Sequence, residues 1–283
     1  MIMREQIVSR ENPLVKTAIR LASSASARIE EGMFLCEGPS LLPEALARGA
    51  EVAAVLYAEG AHGALFAAGG SPFPLPESTR LVELPQRLFA AVSTTETPQG
   101  LLFLCRLPTV VWQGFKKNGV YLVLDRIQDP GNVGSILRTA EGFSAAGVLL
   151  GPGCADPFSP KAVRASMGAV FGRFFYDFRS READLFRVLE TCGLPIVASV
   201  LDADADDLSS LDVSCAVLLL GNEGAGLSEP FLLRANKKVR IPMSPFCQSL
   251  GVASAATVFL WESFQPKKSL SFTWSLGAMP CPR

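Results

Sequence analysis

Histidine is nearly absent: His62, in "EGAHGALFAAGG", is the only one in 283 residues. Ser-His-Asp chemistry, histidine-based zinc sites and imidazole general bases would all have to use it. Its glycine- and alanine-rich setting reads as a loop, which argues against chemistry that relies on imidazole. Paired cysteines are lacking too. The seven present (36, 105, 154, 192, 215, 247 and 281) show no metal-ligand spacing. An odd number with no export signal argues for reduced thiols, and most lie in apolar runs where a free cysteine packs as a small hydrophobe. No apolar run approaches the roughly 18 residues that span a bilayer. The opening "MIMREQIVSREN" is too charged for a signal peptide. The reading is a soluble, cytoplasmic chain with no membrane partner. An excess of either charge is lacking as well, since 26 basic and 27 acidic residues leave a net charge of −1. Attraction to nucleic acid must then come from local clusters: Arg234, Lys237, Lys238 and Arg240; Lys116 and Lys117; Lys161 with Arg164. No G-x-x-x-x-G-K-[ST] occurs, which excludes phosphate-loop chemistry. The pair Gly151 and Gly153 follows a strand, but Asp156 stands where a dinucleotide fingerprint has its third glycine.

What is present is an α/β pattern with ample apolar content, 49% of residues. Over residues 1–110 helical and strand patterns alternate. "NPLVKTAIRLA" places Leu14, Ala18, Leu21 and Ala22 on one helical face. "GMFLCEG", "VAAVLYA", "RLVEL" and "GLLFLCRLP" read as strands. "SLLPEALARGA" and the segment after Leu84 read as helices. Residues 111–119, where a lysine pair and Asn-Gly interrupt the pattern, form a linker. From 120 to 265 the order becomes strictly βα, with strands "VYLVLD", "AAGVLLG", "LPIVASV", "CAVLLLG" and "KKVRIPM". Continuous apolar strands between helices imply a parallel sheet covered on both faces. The tail 266–283 lacks periodicity and reads as disordered, with Trp274 the one residue able to dock.

Three stretches after residue 120 carry more polar and glycine residues than packing requires. In "LVLDRIQDPGNVGSILRTAEGF" a strand runs into a helix start with Asn132, Gly134 and Arg138. Asn132 is placed to cap that helix. Arg138 lies about 120° around the helix from it, with Ser135 between, so all three border a cleft beyond the strand's C-terminal end. Gly134 leaves room for an anionic group at the helix N-terminus. The plain alternatives are a capping Asn132 and a surface salt bridge from Arg138 to Glu141. In "VLLLGNEGAGLSEPFL" a buried strand enters a loop with three glycines and one charge, Glu223. Glycines there expose peptide groups to whatever lies over the strand end. In "RIPMSPFCQSLGVASAATVFLWESF" a strand, a loop and a helix rich in small residues follow, with Ser249 as the cap.

In order and spacing, "DPGNVGSILRTA", "LLLGNEGAGLS" and "IPMSPFCQSLGVASAA" resemble the three motifs of the SpoU (TrmH) family of SPOUT-class RNA ribose 2′-O-methyltransferases. "SPKAVRASMGAVF" resembles the intervening family segment. The cues "SRENPLVK", "FLCEG" and "TETPQG" make the first 110 residues similar to the substrate-binding domain often attached to this family, itself similar to ribosomal proteins that bind kinked RNA. The resemblance implies a deep trefoil knot in the parallel-sheet domain and a homodimer through that domain. It implies S-adenosylmethionine (SAM) as cofactor, held by Gly221, Ile241 and Leu250 together with Asn222, Met243 and Ser249. It also implies RNA as partner, ribosomal RNA rather than tRNA, because simpler members acting on tRNA often lack the first domain. Arg138 would act at the target 2′-hydroxyl near the partner subunit's cofactor, with Asn132 and Glu223 holding Arg138 and the ribose. The third motif departs from the family's common Ser-Leu-Asn-Val-Ser: here it reads Ser249-Leu250-Gly251-Val252-Ala253, and Pro245 replaces a common glycine. Each missing side-chain hydrogen bond is worth about 0.5–1.5 kcal/mol, for which Cys247 or Gln248 can partly compensate. The departure motivates a rival reading, a non-catalytic RNA-binding protein that kept the fold.

Overall fold

The computed structural model describes residues 4–61, 63 and 74–265; His62 and the tail with Trp274 lie outside them. A five-stranded mixed sheet comes first. It contains β1 (Arg4–Gln6), β2 (Met33–Glu37), β3 (Val52–Ala58), β4 (Arg80–Leu84) and β5 (Leu101–Arg106), in the order β1-β4-β3-β5-β2. Helices α1 (Pro13–Ser23), α2 (Ala25–Glu31), α3 (Leu41–Ala47) and α4 (Gln86–Val92) accompany it. Asn12 caps α1 by accepting from the Leu14 amide at 2.9 Å, and Pro13 supplies the preset first turn. The buried face of α1 is Val15, Ala18 and Leu21, rotated one residue from the expected Leu14 face; Leu14 and Ala22 are half-buried at its edge.

The second sheet has seven strands, all parallel: β6 (Tyr121–Leu124), β7 (Gly147–Leu150), β8 (Phe175–Asp177), β9 (Ile196–Ser199), β10 (Asp206–Asp207), β11 (Val217–Leu220) and β12 (Lys237–Arg240). Their order is β10-β12-β9-β11-β6-β7-β8. Helices α5 (Pro130–Gly142), α6 (Pro160–Ser166), α7 (Glu182–Glu190), α8 (Glu229–Leu232) and α9 (Val252–Phe264) connect and cover them. The central strands β6, β7 and β11 are buried at every residue, as a sheet covered on both faces requires. The segment between the sheets has no regular structure, yet it is not loose. Trp112 packs edge-on to Tyr176 at 4.6 Å and Phe115 to Tyr121 at 4.7 Å.

Helices α5 and α6 lie side by side because Gly134 allows it. A Cβ at Gly134 would sit 2.3 Å from the Ala162 carbonyl oxygen and 2.8 Å from the Ala165 Cβ. The group that approaches Gly134 is therefore the α6 backbone, not an anion, which corrects the expectation from sequence. The two sheets share one core: Phe34 of β2 stacks on Phe158 at 4.9 Å and lies beside Phe171 at 6.0 Å. A buried ion pair, Arg28 to Asp156 at 2.7 Å, ties α2 to the loop after β7. No helix among the described residues is long and apolar enough to cross a membrane.

Candidate active site

Three chain segments meet at the C-terminal edge of the second sheet. Beyond β11 the chain turns through Gly221 to Leu227, and Asn222 holds that turn closed. Its side-chain oxygen accepts from the Gly224 and Ala225 amides at 2.9 and 3.0 Å, its amide group donates to the Arg126 carbonyl at 3.0 Å, and its backbone pairs with Gly226. Gly221 lies beneath the returning loop. A Cβ there would meet Gly226 and Leu227 backbone atoms at 2.3–2.4 Å, so no other residue fits this turn unchanged. Beyond β12 the chain brings Ile241, Met243, Ser249 and Leu250 to the same place, and Ser199 to Asp202 close it from the end of β9. Together they enclose a cavity of about 350 Å³. The six residues expected from sequence to form one binding site all line it. The segment after β9 was not anticipated, although the end of an apolar parallel strand is where ligands collect.

Helix α5 starts beside this cavity. Its cap is Asp129, not Asn132: the Asp129 carboxylate accepts from the Gly131 and Asn132 amides at 2.5 and 3.3 Å, with Pro130 in the first turn. Lys161 donates to the same carboxylate at 2.8 Å, and this ion pair with the two amides holds the Asp129 carboxyl below its usual range. Asn132, freed from capping, donates its side-chain amide to Glu223 across the cleft. The sequence-expected pair thus meets, but Asn132 and Glu223 bond each other and not Arg138. Arg138 stands exposed further along α5, with no hydrogen bond or ion pair among the described residues. It is not part of its own chain's cavity wall. Glu141, the alternative partner from sequence, pairs instead with Arg48 at 3.1 Å.

Other expectations are corrected here. Ser249 does not cap α9; Gly251 occupies that position without a side-chain hydrogen bond. The basic clusters are neutralised only in part, since Lys116, Lys117, Lys237 and Arg164 have no ion pair among the described residues. Arg234 pairs with Glu190 at 2.8 Å, Lys238 with Asp202 at 3.0 Å and Arg240 with Asp207 at 2.8 Å. Arg164 donates to Thr94 at 2.7 Å. A charge missed in the sequence is Asp125, fully buried at the end of β6, where it accepts from the Ser228 amide at 2.7 Å and anchors the turn into α8. A lone acid closing an apolar strand was the available signal.

Residues 119–261 match the SpoU rRNA methylase family. The chain belongs to that family. Residues 12–102 match the MRM3-like substrate binding domain, so the two sheets correspond to two known units. The chain is 32% identical over 265 residues to an uncharacterised tRNA/rRNA methyltransferase of Synechocystis, covering 91% of this chain and 92% of that one. It is 29% identical over 258 residues to the 23S rRNA (guanosine(2553)-2′-O)-methyltransferase of Bacillus subtilis, covering 91% and 98% respectively. An rRNA methyltransferase from Sinorhizobium meliloti solved with AdoMet bound superimposes with a TM-score of 0.77 at 28% identity, over 92% of this chain and 97% of that one. The α/β architecture with its parallel sheet is thus that of SpoU methyltransferases, and the chain is a methyltransferase.

Proposed function

We propose that this chain transfers a methyl group from SAM to a ribose 2′-hydroxyl of RNA, with ribosomal RNA as the substrate class. The observation that carries the reading is the strand-end cavity, whose walls are the Gly221–Leu227 turn and the 241–250 segment. The site fits this cofactor. Peptide groups and the apolar side chains of Ile241, Leu250 and Val252 suit an adenosine, and the wall bears Asp202 and Glu223 but no lysine or arginine. Asp202 is already paired with Lys238, which leaves Glu223 as the charge able to favour a cationic ligand. When bound, SAM supplies an electrophilic methyl group on a sulfonium.

The chain's own residues then have to position an alcohol. A guanidinium stays protonated near neutral pH, so Arg138 is not the base. It donates to the 2′-oxygen and to a neighbouring phosphate and stabilises the alkoxide charge that develops as the hydroxyl proton passes to bulk water. Asn132, bonded to Glu223, fixes the distance between α5 and the glycine turn, which keeps the two halves of the site aligned.

In this reading residues 1–110 bind the RNA, 111–119 link, and 120–265 carry out transfer. The second domain forms a homodimer with a trefoil knot at its C-terminal end. Support for the dimer is an exposed aromatic face on α9, where Trp261 (53% exposed) and Phe264 (55% exposed) both contact Phe143 of α5 edge-on. Further support is that Arg138 does not reach its own cavity wall, so a second copy would have to present it. The preference for rRNA rests on the named activity of the Bacillus relative and on the match of the first domain.

Ribose-methylation mapping of RNA from strains with and without the gene tests the reading. Loss of one 2′-O-methyl site in rRNA is expected. Loss in tRNA instead would reassign the substrate, and persistence of every site would end the reading. Calorimetry with SAM separates the non-catalytic alternative, which Gly251 and Ala253 motivate and which expects no binding.

A further inference from the structure

A second cavity, about 260 Å³, lies between the two domains, away from the strand-end site. Its walls come from the turn after β2 (Glu37, Gly38, Ser40), from the 95–99 segment (Thr95, Thr97, Gln99) and from α6 (Arg164, Met167). One wall is held rigid. The Glu37 carboxylate is 6% exposed and accepts from Ser93 and Thr95 hydroxyls at 2.5 and 2.6 Å and from the Thr94 amide and hydroxyl at 2.8 and 2.7 Å. Arg164 crosses from the other domain to the same Thr94 hydroxyl at 2.7 Å. It has no carboxylate partner among the described residues.

The remaining polar groups of the wall are unused. Ser40, Thr97 and Gln99 are exposed, and their side chains make no hydrogen bond within the described residues. A side-chain amide offers a donor and an acceptor side by side, the pairing a nucleobase edge requires. Gln99 lies over Gly38, where a Cβ would be 3.1 Å from its side-chain oxygen. Met167, in a left-handed conformation at φ 47° after α6, is 52% exposed at the rim. A polarisable thioether packs well against an aromatic ring. One unpaired cation, neutral hydrogen-bonding groups and one apolar surface together suit a nucleotide better than a simple anion. The cavity lined by Arg48, Arg106 and Arg173 also leaves one cation, Arg173, without an ion pair among the described residues, but its wall offers no side-chain amide for a base edge.

We propose that the interdomain cavity holds one unpaired nucleotide of the substrate RNA, with its base against Met167 and Gln99, and its phosphate or ribose on Arg164 and Ser40. The proposal rests on the RNA reading above, and it makes the site a specificity element that both domains must supply together. Extruded, unstacked bases are the part of an RNA that proteins read by sequence.

The test uses the full-length protein with methyl-labelled methionines and short single-stranded oligoribonucleotides of the four homopolymer types. Saturable displacement of the Met167 methyl resonance, larger for one base than for the others, is expected. Gln99→Ala with Thr97→Ala should weaken binding of a 23S rRNA transcript about tenfold, the factor that corresponds to about 1.4 kcal/mol. SAM affinity and melting temperature should not change. If the oligonucleotides bind by gel shift while the Met167 resonance stays fixed, or the paired variant binds the transcript like wild type, the cavity is not a nucleotide site though the protein still binds RNA. If wild type binds no RNA at all, the proposal falls together with the functional reading, an outcome distinct from the first.

Discussion

Single residues here divide into those that touch a ligand and those that hold the groups that do. Arg138 is proposed as one of the first kind: its guanidinium is exposed and unpartnered among the described residues, so removing it should leave the fold alone. Arg138→Ala should lower methyl transfer by at least about 100-fold, the usual cost of one oxyanion-stabilising donor, with SAM affinity by calorimetry unchanged. Equal loss of both would remove Arg138 from the reaction. Gly221 belongs to the second kind. Gly221→Val puts carbon where Gly226 and Leu227 backbone stands, at 2.3–2.4 Å, and should weaken SAM binding about 5- to 150-fold, the equivalent of a packing penalty of about 1–3 kcal/mol. Glu37 gives a pH prediction. Burial raises its pKa, but the bonds from Ser93, Thr95 and Thr94 outweigh that and hold the carboxyl below its usual value. A carboxyl whose folded pKa is depressed adds stability above its unfolded pKa and loses it as pH falls through the folded one. The melting-temperature gap between wild type and Glu37→Gln should therefore be widest near neutral pH and shrink below about pH 4.3, the unperturbed glutamate value. A gap independent of pH would show that the carboxylate charge is not what those hydroxyls favour.

At the scale of elements, most strands were legible because they are continuous apolar runs, and β3 coincides with "VAAVLYA" residue for residue. β1, β8 and β10 were not. They are three, three and two residues long, and "REQ", "FYD" and "DD" carry no periodic signal. The short α2 hid in "ASARIEE", where small and charged residues blur its buried side. The site's composition was legible through its glycines, yet their roles were not. A sequence says that something approaches Gly134 but not whether it is a ligand or a helix. The structure answers with α6, and a test follows. Gly134→Ala drives a methyl to within 2.3 Å of the Ala162 carbonyl, so α5 and α6 must separate. Destabilisation of about 1–3 kcal/mol, read from a denaturant midpoint, is expected. Asn132 was misread for a related reason. Capping is local, and Asp129 with Pro130 is the stronger local signal, whereas the partner Asn132 takes instead lies 91 residues away.

At the scale of the whole molecule, the question is how an arginine outside its own cavity wall can act there. Within one chain, α5 meets the glycine turn at Asn132, while Arg138 lies further along the helix on the exposed side. The exposed Trp261 and Phe264 on α9 sit against Phe143 at the far end of the same helix, so a second copy docking on that face would bring its own α5 alongside. Two-fold dimers use the same patch on both copies, and each cavity would then face the other chain's Arg138. Mixed dimers make this decisive. Arg138→Ala keeps an intact cavity, and Gly221→Val keeps an intact arginine. Assayed with SAM well below the Kd of the Gly221→Val protein, both homodimers should transfer methyl groups only at a low background. If the arginine acts across the interface, one of the two sites in each mixed dimer pairs a good cavity with a good arginine. After equal co-expression half the dimers are mixed, so activity should recover to about a quarter of wild type by random association of a two-fold pair. If the arginine acts within its own chain, every site in the mixture lacks one component and activity stays at the background of the separate variants.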